Sequence, residues 1–295
     1  MRAAMLFLLM LGTFLPAVVV AQPVAWSVNS DSDGVGSEPD PWQLLTIDLS
    51  TLETQIIGPT SFIDIEGLAF SPDGDLYGID DATKTLIQID TATGGANPVN
   101  GQLGNVDLSG PQDPAIVFDC SGQLWLATRG NSNLYRVDPS NGELNLIGDL
   151  GAPITALTAT RQGLFGLGPQ DAEGFYSIDR SSGRANRIGS LGLSHGYSGA
   201  GLSVDANGVF WGVLDQSSPN AEPSVLIRIN PETGQATRVA DTLMGLESLA
   251  FPHDQQCASS AGIARPVPST SESGRWLLVL LMAMAGLSGL FVLRR

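Results

Sequence analysis

Basic residues and histidine are scarce in this 295-residue chain. Lys and Arg total 14 against 30 Asp and Glu, for a formal net charge of −16. That balance excludes nucleic acid as a partner, because phosphates are gripped by lysine and arginine. It also opposes docking on an anionic lipid surface. The only histidines are His195 and His253, and the only cysteines are Cys120 and Cys257. No His/Cys set has zinc spacing. There is no GxSxG elbow and no glycine-rich phosphate loop opening a helix. A Ser-His-Asp triad would have to recruit one of two loop histidines. Between the termini no stretch reads as a convincing helix. Hydrolysis by a familiar triad or zinc set is therefore not the expected chemistry.

What the chain does contain is a repeat. Its clearest copy spans 66–94, EGLAFSPDGDLYGIDDATKTLIQIDTATG. Three short apolar runs are each broken by a turn, which is a strand pattern. The Pro-Asp-Gly turn presets φ at its first corner and places glycine where φ turns positive. The third run recurs as LLTID, LIQID, LYRVD, FYSID and LIRIN, closing on Asp48, Asp90, Asp138, Asp179 and Asn230. The steps between these are 42, 48, 41 and 51 residues. A fourth run follows each. Four strands per unit at this period predict the blades of a β-propeller.

The first run appears at 66–70, 114–118, 154–158, 200–204 and 247–251. The opening unit, 24–59, has no first run before it. The last run, ESLAF, has no second, third or fourth run after it. Residues 247–251 therefore supply the missing inner strand of the first blade. The expected fold class is all-β, a five-bladed propeller closed by its C-terminal strand. Closure removes the open sheet edge that invites aggregation. An open solenoid would need capping units, and the complementary half-units argue against it.

Both ends read as targeting segments. Residues 1–21 carry Arg2, an apolar stretch and the small-residue ending Val19-Val20-Ala21, which predicts a signal peptide. The propeller is expected over 22–257 and a Ser/Pro/Gly-rich linker over 258–275. Residues 276–293 are apolar almost throughout and predict a transmembrane helix at the short limit of length. The basic end, Arg294-Arg295, places the propeller outside the inner membrane.

VPSTSESG at 267–274 resembles the IPTL-CTERM sorting tails of bacterial proteins, through Val267, Pro268, Ser271, Glu272 and Gly274. Thr270 and Ser273 depart from that pattern. The resemblance implies a Gram-negative cell-envelope protein. It would be exported, held in the inner membrane at least transiently, and handled by an exosortase-like transpeptidase. It would then stay at the surface or be secreted. The LYGID, LxxID and TG repeats resemble bacterial NHL and YVTN-type propellers. EGLAFSPDGDLYGID also looks like the lactonase and phytase-like propellers. In the lactonase group an inner-strand glutamate binds calcium, and Glu66 matches it by position. The rest of that group's metal set finds no match here.

Aligned on the first run, Glu66 and Glu247 occupy equivalent places on adjacent inner strands, with Pro114, Ile154 and Ala200 in the other blades. The two carboxylates, joined by Asp64, are a candidate Ca²⁺ site, although calcium wants more oxygen ligands than these. The alternative is a pair of solvated acids. The acidic loop 29–40 is a second calcium candidate through Asn29, Asp31, Asp33 and Asp40, with Gly34 at the turn. An exposed acidic insertion is the alternative there. Cys120 and Cys257 form a disulfide or remain two thiols. Trp26, Tyr77, Trp125, Phe165 and Trp211 recur on the second strands and are expected to pack between blades.

Two functions follow. The first is a binding module presenting loops on a rigid ring to a protein or polysaccharide. The second is a Ca²⁺-dependent hydrolase of lactonase or phytase-like type using the channel-mouth acids. Three or more converging oxygen ligands on the inner strands would favour the hydrolase. A channel lined by small or apolar residues favours binding.

Overall fold

A computed structural model describes residues 23–29, 42–194, 196–216 and 222–258. The signal segment, Asp31, Asp33, Asp40, His195, the sorting motif and the apolar C-terminal stretch lie outside them. Among the described residues no helix is long and apolar enough to cross a membrane.

Among the described residues, nineteen strands form five antiparallel sheets. The first holds β1 (Val24–Val28), β2 (Gln43–Asp48) and β3 (Thr54–Pro59). The second holds β4 (Ile65–Phe70), β5 (Leu76–Asp80), β6 (Thr85–Ile89) and β7 (Ala96–Pro98). The third holds β8 (Pro114–Phe118), β9 (Leu124–Thr128), β10 (Asn133–Val137) and β11 (Leu144–Asp149). The fourth holds β12 (Ala156–Thr160), β13 (Gly163–Gly168), β14 (Gly174–Ile178) and β15 (Ala185–Gly189). The fifth holds β16 (Ala200–Val204), β17 (Phe210–Leu214), β18 (Val225–Ile229) and β19 (Ala236–Asp241). The chain is an all-β, five-bladed propeller with almost no helix.

Burial explains why each blade reads as it does. The inner strands β8 and β16 are buried at every residue, because a neighbouring blade covers each face. Both faces must then be apolar, and alternation disappears. The outer strands β3, β11 and β19 are buried on neither face completely and carry Gln, Asn and Arg. The repeated aspartate has a local cause. The side-chain oxygens of Asp48, Asp90, Asp138, Asp179 and Asn230 each accept the N–H two residues on, at 2.7–2.9 Å. Each residue thereby builds the turn between the third and fourth strands.

Five apolar clusters hold the ring, one between each pair of successive blades. The cluster joining blade five to blade one decides closure. It packs Leu246, Leu249 and Phe251 with Ala25 and Leu45 against Trp211, Val213 and Leu226. Residues 247–251 thus complete the opening blade. Trp26 and Ala250 exchange two backbone hydrogen bonds of 2.8 Å. Ser27 Oγ donates to Ser248 O at 2.6 Å, and Ser248 Oγ accepts the Val28 N–H at 3.1 Å. The segment is therefore held by side chains as much as by a ladder. Gly201 permits this fit: a Cβ there would lie 2.4 Å from Leu249 N.

Blade four corrects the alignment. Phe70, Phe118, Ala159 and Val204 stand opposite Leu76, Leu124, Leu164 and Phe210, the first large apolar residues of their second strands. Counting back, Thr155 and not Ile154 shares the place of Glu66. A strand buried on both faces offers no alternation to fix register, so only the pairing sets it. Ile154 packs instead into the cluster between blades three and four.

The far end of the ring is capped by α1 (His253–Gln256). A disulfide joins Cys120 to Cys257 across 137 residues. Gln256 Nε2 donates to Phe118 O at 2.9 Å, and Arg161 Nε donates to Cys257 O at 2.9 Å. The short helix thus carries the chain from blade one to blades three and four.

Candidate functional site

The inner strands converge on a narrow throat lined by Glu66, Gly67, Ala115, Thr155, Ala200 and Glu247, among others. Its volume is about 10 Å³, room for about one water. Small residues let the strands approach, and that approach closes the channel.

Glu66 and Glu247 are brought together, as the alignment expects. A carboxyl–carboxyl hydrogen bond links them. Burial pushes the Glu66 carboxyl well above its usual range, and the charges of Glu247, Asp113 and Asp64 add to it. Burial likewise raises Glu247, to about 8, reinforced by the charge of Asp215. The pair therefore holds a proton at neutral pH. Asp64 is raised by burial, and its hydrogen bond with Glu66 opposes that shift. Gly199 makes the space: a Cβ there would lie 2.2 Å from Glu247 Oε1. Thr155, only 2% exposed, also lines the throat, and its Oγ1 has no hydrogen-bond partner among the described residues.

Glu66 and Glu247 spend an oxygen each on one another, and Asp64 bonds Glu66. Among the described residues, no group of three His, Cys, Asp or Glu side chains has metal-binding geometry. The throat acids as they stand do not fit calcium, which takes six to eight oxygens. At the second candidate site, Asn29 is the described member. It is buried, and its Oδ1 accepts the Gln43 N–H at 2.7 Å. Its amide oxygen pins the base of the loop.

Around the throat runs a hydrogen-bonded rim that sequence reasoning missed. Asp80 Oδ1 accepts the Asp64 N–H at 3.0 Å. Asp81 Oδ2 accepts the Gln112 N–H at 2.9 Å, and Asp81 Oδ1 pairs with Lys84. Arg129 donates to Asp113 Oδ2 at 2.5 Å and reaches Ser198 O at 3.3 Å. Ser198 Oγ donates to Asp215 Oδ2 at 2.9 Å. Asp80, Asp81 and Asp215 are buried, so their charges serve the loops. Asp113 and Arg129 stay 29% and 37% exposed as an ion pair at the mouth. Ile63, beside Asp64, is an apolar residue 50% exposed there. The one available signal was the Asp80-Asp81 doublet ending a second strand.

The recurring aromatics pack the ring. Trp26 meets Phe70 edge-on at 5.8 Å, and Tyr77 meets Phe118 at 5.3 Å, each across a blade boundary. Phe165 meets Phe210 at 5.2 Å in the same way. Trp125 and Trp211 donate their indole N–H to Asp119 and Asp205 at 2.9 and 3.1 Å. Asp119 is pushed up by burial, but hydrogen bonds from Ser121, Trp125 and Gln123 outweigh that and hold it below the usual carboxylate range. His253 Nε2 lies 2.9 Å from Asp119 O, so it belongs to the far cap.

No protein-family model and no curated protein matches the sequence. Solved structures share the fold. A protein of unknown function from Bacteroides caccae is 13% identical, with a TM-score of 0.50 over 77% of this chain and 98% of that one. Virginiamycin B lyase from Staphylococcus aureus is 16% identical, with a TM-score of 0.41 over 67% of this chain and 62% of that one. Hydrazine synthase from Kuenenia stuttgartiensis is 14% identical, with the same TM-score, over 67% and 60%. At such identities the likeness is one of fold.

Proposed function

We propose that the protein is an exported binding module whose recognition surface is the throat-side face of the ring. The closed throat carries this reading. A passage of about 10 Å³ lined largely by glycine, alanine and leucine admits no substrate, so recognition falls to the face around it. There Ile63 and the Arg129–Asp113 pair offer an apolar anchor beside exposed charges, the mixture that interfaces use. The five buried clusters and the rim hold the loops rigid, which lowers the entropy lost on binding.

The ligand is a protein or an exopolysaccharide of the cell envelope. Pro23 O accepts the Leu49 N–H at the turn end of blade one, and Ala258 follows α1 at that same end. A tail handled by an exosortase-like enzyme would leave from there, with the recognition face pointing away from the membrane. Retention of the wild-type ring on immobilised envelope proteins and exopolysaccharides tests the binding. The double variant Asp113→Asn/Arg129→Gln, which keeps net charge, should reduce retention with little change in melting temperature. Unchanged retention would overturn the assignment of this face. Cell fractionation with C-terminal mass analysis tests the address, and an intact C-terminus on every molecule would remove the sorting enzyme.

A further inference from the structure

A second concavity opens at blade five, lined by residues none of which line the throat. Its volume is about 340 Å³, within the range of small-ligand sites. The floor is apolar. Leu214 and Val225 are almost fully buried, and Leu193 and Pro223 extend the surface. The rim is polar: Ser194, Gln216, Glu222, Arg238 and Asp241. Arg238 already pairs with Asp241. Among the described residues no cation lies within ion-pair distance of Glu222. The cleft thus has one uncompensated negative charge above an aliphatic floor, in a chain of net charge −16 that draws cations towards it.

We infer that this cleft binds an aliphatic ammonium or guanidinium group, with its methylene stem on Leu193 and Pro223, over the buried Leu214 and Val225, and its cation at Glu222. Lysine and arginine side chains lie on apolar surface in this way while the head stays polar. A free amine has the same chemistry as a basic side chain on a partner. The inference rests on the reading of the ring as a binding module but uses other residues than the throat-side face.

The test is titration of full-length protein with n-pentylamine, followed by amide chemical shifts, with n-pentanol as the uncharged control. Expected are saturable shifts at Leu193, Gln216, Glu222 and Val225, and affinity about tenfold or more weaker in Glu222→Gln, since a charge-assisted hydrogen bond is lost. Glu222 is exposed, so the variant should keep the wild-type melting temperature. No saturation, an equal response to n-pentanol, or unchanged affinity in Glu222→Gln would overturn the site. A second arm compares capped lysine with pentane-1,5-diamine. Tighter capped lysine assigns a partner's side chain, and tighter diamine assigns a free amine. Amine binding that survives Asp113→Asn/Arg129→Gln, while macromolecular retention is lost, separates this cleft from the face around the throat.

Discussion

The proton shared by Glu66 and Glu247 makes the ring's stability fall as pH rises through neutrality. Unfolded, each glutamate releases its proton near 4.5, whereas Glu247 in the ring holds its proton to about 8. Between those values the folded state binds more protons than the unfolded state. The slope of unfolding free energy against pH is then negative. The stabilisation is complete below about 4.5 and lost as pH rises through 8. One retained proton is worth about 1.4 kcal/mol per pH unit, so the window of about 3.5 units sets a ceiling of about 5 kcal/mol. That is a large share of a native stability of roughly 5–15 kcal/mol. Glu66, also raised, acts with the same sign. Asp119, held low, acts with the opposite sign, but its stability is already complete above the usual carboxylate range. From about pH 5 to 8.5 the throat pair therefore dominates. Urea unfolding at half-unit pH steps measures it. Wild type should lose stability across that window, while the double variant Glu66→Gln/Glu247→Gln, which keeps hydrogen-bonding amides and cannot ionise at either position, should stay nearly level. At pH 8.5 the variant should be the more stable protein. Parallel curves for the two proteins would refute the shared proton.

The closing segment gives a second prediction. Phe251 is 1% exposed in the cluster between blades five and one, so Phe251→Ala should cost about 3–5 kcal/mol by urea unfolding. Breaking the Cys120–Cys257 bond frees a 137-residue loop, and reduction should lower stability by about 2–4 kcal/mol, read as a lower melting temperature in dithiothreitol. Trp211→Phe leaves Asp205 Oδ2 without its indole donor and should cost about 1–3 kcal/mol, measured the same way. Gly199→Ala drives a Cβ into Glu247 Oε1; it should displace the carboxyl and flatten the pH profile, a result separable from simple destabilisation by its shape.

The blades were legible because their cause is local. Asp90 builds its turn with Ala92, two residues away, so the same five-residue phrase recurs wherever the turn does. Closure was legible because a lone apolar run at the end matches a missing one at the start, and Ala250 does bond Trp26. The rim was not legible. Arg129 bonds Ser198 across 69 residues, and Gln112 bonds Asp81 across 31. Such pairs have no spacing rule, since each loop comes from a different blade. The one-residue slip at Thr155 has a related origin. Leu157 and Ala156 face different neighbouring blades, yet both are apolar, so sequence pattern cannot distinguish the two faces.

That slip bears on function. With Ile154 in the throat, two acids would face a purely apolar wall. With Thr155 there, a hydroxyl without a hydrogen-bond partner among the described residues joins two carboxyls around space for about one water. The polar groups on the axis are thus few and close together, and the two carboxyls are satisfied by one another. A throat built this way stiffens the ring through Glu66 of blade two and Glu247 of the closing segment. It leaves the outward-facing residues, Ile63, Asp113 and Arg129 on one face and Glu222 in blade five, as the groups free to meet another molecule.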